Sequence, residues 1–403
     1  MNNLIVMKFG GSSVATTEKI KNVANRVTQK AKKFRIVVVV SAPGDMTDDL
    51  IKKANAITDS PDPREMDMLL ATGEIQSISL LTMAIKSNGF DAISLTGPQA
   101  GIYADSVHTK ARIRKIKPKK IIDELKKNKI VIVAGFQGIN PNDDITTLGR
   151  GGSDLTAVAL AAILKAKECE IYTDVKGVYT TDPRIVPDAK KLDMISYDEM
   201  LELAGVGSQI MMARSIEVAK KYNVIIHVRS SFSNEEGTLI MKEVNKMENV
   251  VVSGVAFDKN EAKLSITDIP DKPGIAAKIF GALAKKNINV DMIIQSAASE
   301  KYNDISFTVS KDDIKIAVSL LKNISKRVGG GTIIFDENVA KVSIVGIGMR
   351  SHPGVASKMF KIFADNEINI QMISTSEIKI SCVISDKDTD KAVKILHKGF
   401  GLG

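Results

Sequence analysis

Hydrophobic positions in the first half of the chain fall in short unbroken runs. Leu4 to Met7, Val37 to Val40 and Ile130 to Ala134 are four or five residues long and rich in Ile and Val, and Glu170-Ile171-Tyr172-Thr173 and Ile225-Ile226-His227-Val228 continue the strand series with polar residues among them. Runs of this length without polar alternation are typical of strands buried on both faces. Longer segments with helical spacing separate them: one beginning at Thr16, one from Arg64 to Lys86, and an Ala/Leu-rich one from Leu155 to Ala166. Strand and helix alternate to about residue 240, which predicts an α/β sandwich with a mostly parallel sheet between helices. Ligands in such sheets bind beyond the carboxyl ends of the strands.

Beyond a polar, linker-like stretch from Thr238 to Asn249 the chain repeats itself. Lys263-Leu-Ser-Ile266 matches Lys341-Val-Ser-Ile344, and Pro273-Gly274-Ile-Ala-Ala-Lys278 matches Pro353-Gly354-Val-Ala-Ser-Lys358. Ile288-Asn289-Val-Asp-Met292 matches Ile368-Asn369-Ile-Gln-Met372. Each copy reads β-α-β-β-α, the ferredoxin-like order. The first copy has a final strand at Thr332 to Phe335, whereas the second ends with its helix. The unmatched segment Val250 to Phe257 is therefore expected to supply the second copy's missing strand, beside strands near Val342 and Val383. The expected organisation is a first domain over 1–245 and a second region over 250–403. The latter holds units at about 258–337 and 338–403, with 250–257 lending a strand to the second.

Two glycine-rich loops carry the candidate chemistry. Lys8-Phe-Gly10-Gly11-Ser12-Ser13 follows the first strand, where close backbone approach, loop N–H groups and one lysine suit a phosphate. Gly149-Arg150-Gly-Gly-Ser153-Asp154 opens the Leu155 helix. There Ser153 or Asp154 can cap the helix, and Arg150 offers a planar fork for a carboxylate or phosphate. Lys8, Ser41 and Asp174 all stand at predicted strand ends.

Composition narrows the class. The chain has 403 residues, 44% hydrophobic and 26% charged, with no Trp and a net charge of +9. No apolar run reads as a membrane span, and no signal-peptide pattern opens the sequence. Cys169 and Cys382 read as core residues in a reducing compartment, and neither Cys nor the four His form a zinc pattern. The basic stretch from Lys110 to Lys120 lacks interleaved aromatics, so it reads as a solvated edge strand and helix start and not as a nucleic-acid surface.

Lys8, the Gly10-Gly11-Ser12 loop, Asp174 and Arg184 make a kit for phosphoryl transfer, which needs positioning and charge neutralisation above all. Neither a Walker loop nor the protein-kinase motif set occurs. No general base is evident either. That suits an acceptor that is already an anion, such as a carboxylate.

Together, Lys8-Phe-Gly-Gly-Ser-Ser, Ser41-Ala-Pro-Gly-Asp45, Gly73-Glu74, Gly135-Phe-Gln-Gly138, Thr147-Leu-Gly-Arg150-Gly-Gly-Ser153-Asp154, Thr173-Asp174-Val-Lys-Gly-Val-Tyr179-Thr-Thr-Asp182-Pro-Arg184 and the tandem Pro-Gly repeats resemble the aspartate kinases, in order and over essentially the whole chain. The resemblance implies the amino acid kinase fold followed by two ferredoxin-like βαββαβ units of the ACT type. It implies transfer from ATP, with Mg²⁺, to the β-carboxylate of L-aspartate, giving 4-phospho-L-aspartate. This would be the first step toward lysine, threonine and methionine, with feedback by lysine and/or threonine. It further implies a cytoplasmic homo-oligomer joined through its ACT units, with neither nucleic acid nor membrane as partner.

Carried over by position, Lys8 and Asp174 would be catalytic. Ser41, Thr47, Glu74, Arg150 and Ser153 would bind substrate, with Arg150 on the α-carboxylate and Glu74 on the α-ammonium. Lys8, Gly10, Gly11, Ser12, Thr173, Asp174, Tyr179, Asp182 and Arg184 would contact nucleotide. Asp271, Gly274, Ile275, Ala276, Asn289, Asp291, Gln295 and Asn369 would contact the effector, and no protein-held metal site is implied. One departure stands out: Gln209 replaces a lysine common in the family's Gly-[Ser/Ala]-Lys segment. Two alternatives remain at this point. One is a related kinase acting on another acceptor, such as glutamate, acetylglutamate or a nucleoside monophosphate. The other is a catalytically silent amino-acid-binding regulator.

Overall fold

The computed structural model describes residues 3–205, 211–242, 251–299, 302–329 and 331–403. The chain divides into two compact units: the described residues within 1–178, 191–204 and 209–245 form the first, and those within 179–190, 205–208 and 246–403 the second.

The first unit runs β1 (Leu4–Phe9), α1 (Thr17–Ala31), β2 (Arg35–Val40), α2 (Met46–Ile57), α3 (Pro63–Ser87), β3 (Ala92–Leu95), β4 (Ile102–Ala104), β5 (Ile113–Ile116), α4 (Lys119–Lys126) and β6 (Ile130–Ala134). It continues through β7 (Gln137–Ile139), β8 (Ile145–Thr147), α5 (Gly152–Leu164), β9 (Glu168–Thr173), β10 (Met194–Ser196), α6 (Tyr197–Gly205), α7 (Ala213–Tyr222), β11 (Ile226–Ser230) and β12 (Thr238–Met241). The main sheet has the order β10-β12-β11-β9-β1-β2-β6-β3. Strands β11, β9, β1, β2, β6 and β3 pair in parallel throughout, so their carboxyl ends share one edge.

Side chains alternate across β1. Ile5, Met7 and Phe9 join a core with Val23 and Val27 of α1 and Leu81 and Ile85 of α3. Lys8 therefore faces the opposite side, where α5 packs on β1, β2 and β9. A second sheet, β5-β4-β7-β8, carries the basic stretch on its edge strand β5. Helix α3 is long and apolar enough to cross a membrane by length and composition alone. Its face with Leu70, Ala71, Glu74, Ile78, Leu81 and Ile85 is nevertheless buried within the unit.

The second unit runs β13 (Gly254–Pro270), α8 (Ile275–Lys285), β14 (Ile293–Ser299), β15 (Tyr302–Ser310), α9 (Ile314–Val328), β16 (Thr332–Val345), α10 (Val355–Asp365), β17 (Met372–Thr375), β18 (Lys379–Ser385) and α11 (Thr389–Gly399). They form one six-stranded sheet, β14-β15-β13-β16-β18-β17. Two strands are long enough to serve both repeats. The first part of β13, Gly254 to Asp258, pairs with Lys341 to Val345; its later part, Lys263 to Thr267, pairs with Thr332 to Asp336. Each repeat thus completes its four strands with the end of a strand that begins in the other. Segment Gly254 to Phe257 lies directly beside the Val342 strand. The Val383 strand lies on that strand's far side and not next to the segment. Val251 to Ser253 precede the strand, and Val250 lies outside the described residues.

The second unit also includes Tyr179 to Lys190, from the middle of the sequence. Val186 is part of the core formed by Val342, Met359, Phe363 and Leu396, with Ile185 and Ala189 packed against it. The Val255 N–H donates to the Thr180 carbonyl at 2.7 Å, and Thr180 Oγ1 lies 2.9 Å from His397 Nε2. Cys169 and Cys382 are buried free thiols, on β9 and β18.

Candidate active site

Sheet order places the candidate groups of the first unit. The chain leaves β1 toward β2 on one side, while β9 comes to lie on the other. The crevice at such a reversal is where open α/β sheets bind ligands. Lys8 and Gly10 stand at the end of β1, and Thr173 and Asp174 at the end of β9, on the two lips of that crevice. Gly10 N–H donates to the Tyr172 carbonyl at 3.3 Å, so the β1 loop is tied to β9.

On its other side the loop is tied to β2. The Gly11 carbonyl accepts from Gly44 N at 3.0 Å, and a Cβ on Gly11 would stand 2.8 Å from the Ala42 carbonyl oxygen and 2.9 Å from that of Gly44. Only glycine fits between the two loops. Residues Gly11–Ser13 form a short 3-10 turn, and α1 starts later, capped by Thr16, whose side chain accepts from Lys19 N.

Lys8 Nζ lies 2.6 Å from Asp154 Oδ1, with both side chains largely buried. Asp154 and Ser153 do not cap α5. Gly151, in a left-handed conformation, is the N-cap, and Ser153 and Asp154 sit buried in the first turn. Asp154 instead fixes the Lys8 ammonium. Sequence reasoning missed this pairing. The available signal was an acid in the first turn of the helix expected to cover β1, on the face to which alternation directs Lys8.

Glu74 is 3% exposed on α3. Helix α3 presses against the loop after β2: a Cβ on Gly73 would stand 2.6 Å from the Ala42 Cβ. That approach lets Glu74 Oε1 accept from Ala42 N at 3.0 Å, while Oε2 has no hydrogen-bond partner among the described residues. Burial pushes the carboxyl up to about 7, against the pull of the Ala42 hydrogen bond. A buried acid with one unfilled acceptor is costly unless something completes it. Beside it, Ser41 N donates to the Phe9 carbonyl at 3.1 Å, and Thr47 lies in the first turn of α2.

Arg150 is the outlier. Its side chain is 93% exposed and reaches only to within 3.9 Å of Asp48 on α2. The structure thus places Lys8, Gly10, Gly11, Ser12, Ser41, Thr173 and Asp174 on the ends and loops of adjoining strands. Glu74 lies against the β2 loop, Ser153 on α5, and Arg150 at the outside. Tyr179, Asp182 and Arg184 fall in the segment that belongs to the second unit. There the Arg184 guanidinium holds the Asp182 carboxyl below the usual carboxylate range, at 2.7 Å. Gln209 lies outside the described residues. A cavity of about 290 Å³ lined by Ser13, Lys19, Asn22, Arg26, Ser231 and Phe232 contains none of the predicted site residues.

In the second unit, Gly274 precedes α8 in a left-handed conformation, Ile275 is buried, and Asp271 accepts from Asn303 Nδ2 at 2.8 Å. Ala276, Asn289, Gln295 and Asn369 are exposed. Asp291 is ion-paired with Lys341. A cavity of about 460 Å³ lies at the second Pro-Gly loop, lined by Val251, His352, Gly354, Lys358 and Phe400 among others, and none of the eight predicted effector residues lines it.

The parallel sheet, the reversal at β1 and β9, and a glycine loop with a fixed lysine define a phosphotransferase of the amino acid kinase class. The "Amino acid kinase family" model matches residues 3–230, and an "ACT domain" model matches 267–323 and 342–400. An aspartokinase of Pseudomonas aeruginosa is 52% identical over 406 residues, covering 99% of this chain and 98% of that protein. The chain belongs to the amino acid kinase family and, within it, to the aspartate kinases that carry ACT domains. Among solved structures, E. coli aspartokinase III in complex with aspartate and ADP (R-state) superposes with a TM-score of 0.84 at 26% identity, over 98% of this chain and 99% of that one. The same enzyme in complex with lysine and aspartate (T-state) gives 0.76 at 26% identity, over the same shares.

Proposed function

We propose that this chain transfers the γ-phosphoryl group of ATP to the β-carboxylate of L-aspartate, yielding 4-phospho-L-aspartate and ADP. The observation that carries the reading is Glu74: a buried acid beside the β2 loop with an unfilled oxygen, completed by a substrate ammonium. Arg150 takes the α-carboxylate, and the pair of anchors selects an amino acid. Ser41, Thr47 and Ser153 line the acceptor side. The attacking β-carboxylate is already ionised at neutral pH, so no protein base is required.

Lys8, held by Asp154, neutralises charge that develops on the transferring phosphoryl group, while the Gly10, Gly11 and Ser12 loop donates to its oxygens. Asp174 acts at the same crevice, with Thr173 beside it. Mg²⁺ enters as part of the MgATP substrate, its ligands mostly phosphate oxygens and water. The exposed Asp174 carboxylate suits contact with that cation or its phosphates. Tyr179, Asp182 and Arg184 are assigned to nucleotide on the family pattern.

The kinase domain is assigned to 1–245 and the regulatory region to 250–403. The latter is read as binding lysine and/or threonine through Asp271, Gly274, Ile275, Ala276, Asn289, Asp291, Gln295 and Asn369, in a cytoplasmic homo-oligomer joined by its ACT units. The lysine complex of E. coli aspartokinase III supports an amino-acid effector. ADP release measured with aspartate, then with glutamate, tests the reading. Aspartate-dependent release several orders above the glutamate rate is expected; equal or glutamate-selective release would overturn it.

A further inference from the structure

Arg150 receives almost no support through its own side chain, so its position depends on the backbone that carries it. That backbone leads to a residue outside the set considered so far. Asp67, on α3, is wholly buried. Its carboxylate accepts from Thr147 Oγ1 at 2.5 Å and from Thr109 N at 3.0 and 3.1 Å to its two oxygens, and it lies 2.7 Å from His108 Nδ1. An ionised carboxylate can only accept, so the His108 Nδ1 carries the hydrogen in this pairing.

Thr147 ends β8 three residues before Arg150. Thr109 belongs to the loop that flanks the Arg150 loop: Ala111 N donates to the Thr147 carbonyl at 2.9 Å, and a side chain on Gly149 would stand 3.5 Å from the Thr109 carbonyl oxygen. Arg214 on α7 closes the clamp, donating to the carbonyls of Leu148 and Ala111 at 3.1 Å each. Thr109 has φ +65°, a strained value for a β-branched residue that persists only when its surroundings enforce it. The Asp67 contacts to its N–H supply that enforcement.

We infer that Asp67 is a positioning residue for the aspartate site: it locks the Thr109 and Thr147 loops together and thereby sets where Arg150 stands. The inference rests on the assignment of Arg150 to the substrate α-carboxylate. The carboxylate suits the task because its two oxygens take the Thr109 N–H, the Thr147 hydroxyl and the His108 ring from two loops at once, which neither Asn nor Ser can do in the same space. Displacement of a substrate anchor by about 1 Å can cost on the order of 100-fold.

The test is steady-state kinetics without effector on Asp67→Asn, Thr147→Val and Arg150→Ala, and on the double variant Asp67→Asn/Arg150→Ala. Asp67→Asn and Thr147→Val are expected to raise KM for aspartate about 10-fold or more, with KM for ATP unchanged and kcat within about threefold. In the Arg150→Ala background, Asp67→Asn should add little, since both changes remove one contact. If Arg150→Ala leaves KM for aspartate unchanged, the Arg150 assignment fails first. If Arg150→Ala raises it while the folded Asp67→Asn and Thr147→Val proteins do not, or if their losses fall equally on ATP, the positioning role is overturned. Should Asp67→Asn fail to fold, Thr147→Val, which removes one hydroxyl at constant shape, decides the matter alone.

Discussion

Both units bury charged side chains, and they do so to different ends. In the second unit, Lys341 is 2% exposed and pairs with Glu261 Oε1 at 2.5 Å and with Asp291. Burial pulls its pKa down, but the two carboxylates outweigh that and hold the ammonium charged. Lys341 lies on the second repeat and Asp291 on the first. Their counterparts by internal repetition make the reciprocal contact without an ion pair, Lys263 Nζ to Gln371 Oε1 at 3.3 Å. These contacts knit the two repeats together, and their valences are filled. In the first unit, Lys8 is filled by Asp154, but Glu74 keeps an empty acceptor. At Lys341 the completed pair ties elements together; at Glu74 the unfilled acceptor marks a place for a ligand.

That contrast can be broken at four points. Lys341→Met strands Glu261 without its cation, which typically costs about 3–5 kcal/mol. A thermal melt should show a strongly lowered transition, and adding Glu261→Gln should recover much of the loss. An unchanged melt would mean the pair is not structural. Lys8→Ala likewise leaves the buried Asp154 without its cation, so its melt should also fall, but it should in addition reduce turnover of the folded protein by about two to three decades, as expected for a lost preorganised cation. Near-normal turnover in the folded variant would remove Lys8 from the chemistry.

Glu74 should announce itself through pH. With a folded pKa near 7 against 4.5 for the free side chain, the native protein binds the extra proton. Glu74 therefore lowers stability progressively as pH rises from about 4.5 to 7, by about 3 kcal/mol in all, and no further above that. Glu74→Gln should flatten the stability profile over that window by about this amount, while raising KM for aspartate. For the wild type, KM for aspartate should fall as pH rises through 7. A profile indifferent to the substitution would return Glu74 to the ordinary carboxylates. The smallest effect is expected at Lys263→Met, where one partly exposed hydrogen bond to an amide is worth about 1 kcal/mol or less. A loss as large as that of Lys341→Met would erase the difference between the two repeats.

Local pattern was enough for the alternation of buried runs with helices, the lysine and glycines after the first strand, the repeated strand, Pro-Gly and Ile-Asn settings, and the count that left one strand unassigned. Each depends on near neighbours, where period and turn chemistry act directly. The partners were beyond its reach. Asp154 stands 146 residues from Lys8, and only the sheet order brings α5 over β1. Asp67 reads as one more acid near the start of an amphipathic helix, until α3 meets the loops after β4 and β8. Glu74 looks like a solvated carboxylate until Gly73 lets α3 close on Ala42. Residues Tyr179 to Lys190 sit within the first half of the sequence and fold into the core of the second unit. Sequence alone determined which elements form and what chemistry they carry, because propensity and periodicity are local. Tertiary structure decided which charges are buried, what completes them and which strands run on into a second repeat, because desolvation and pairing are set by what packs across the chain.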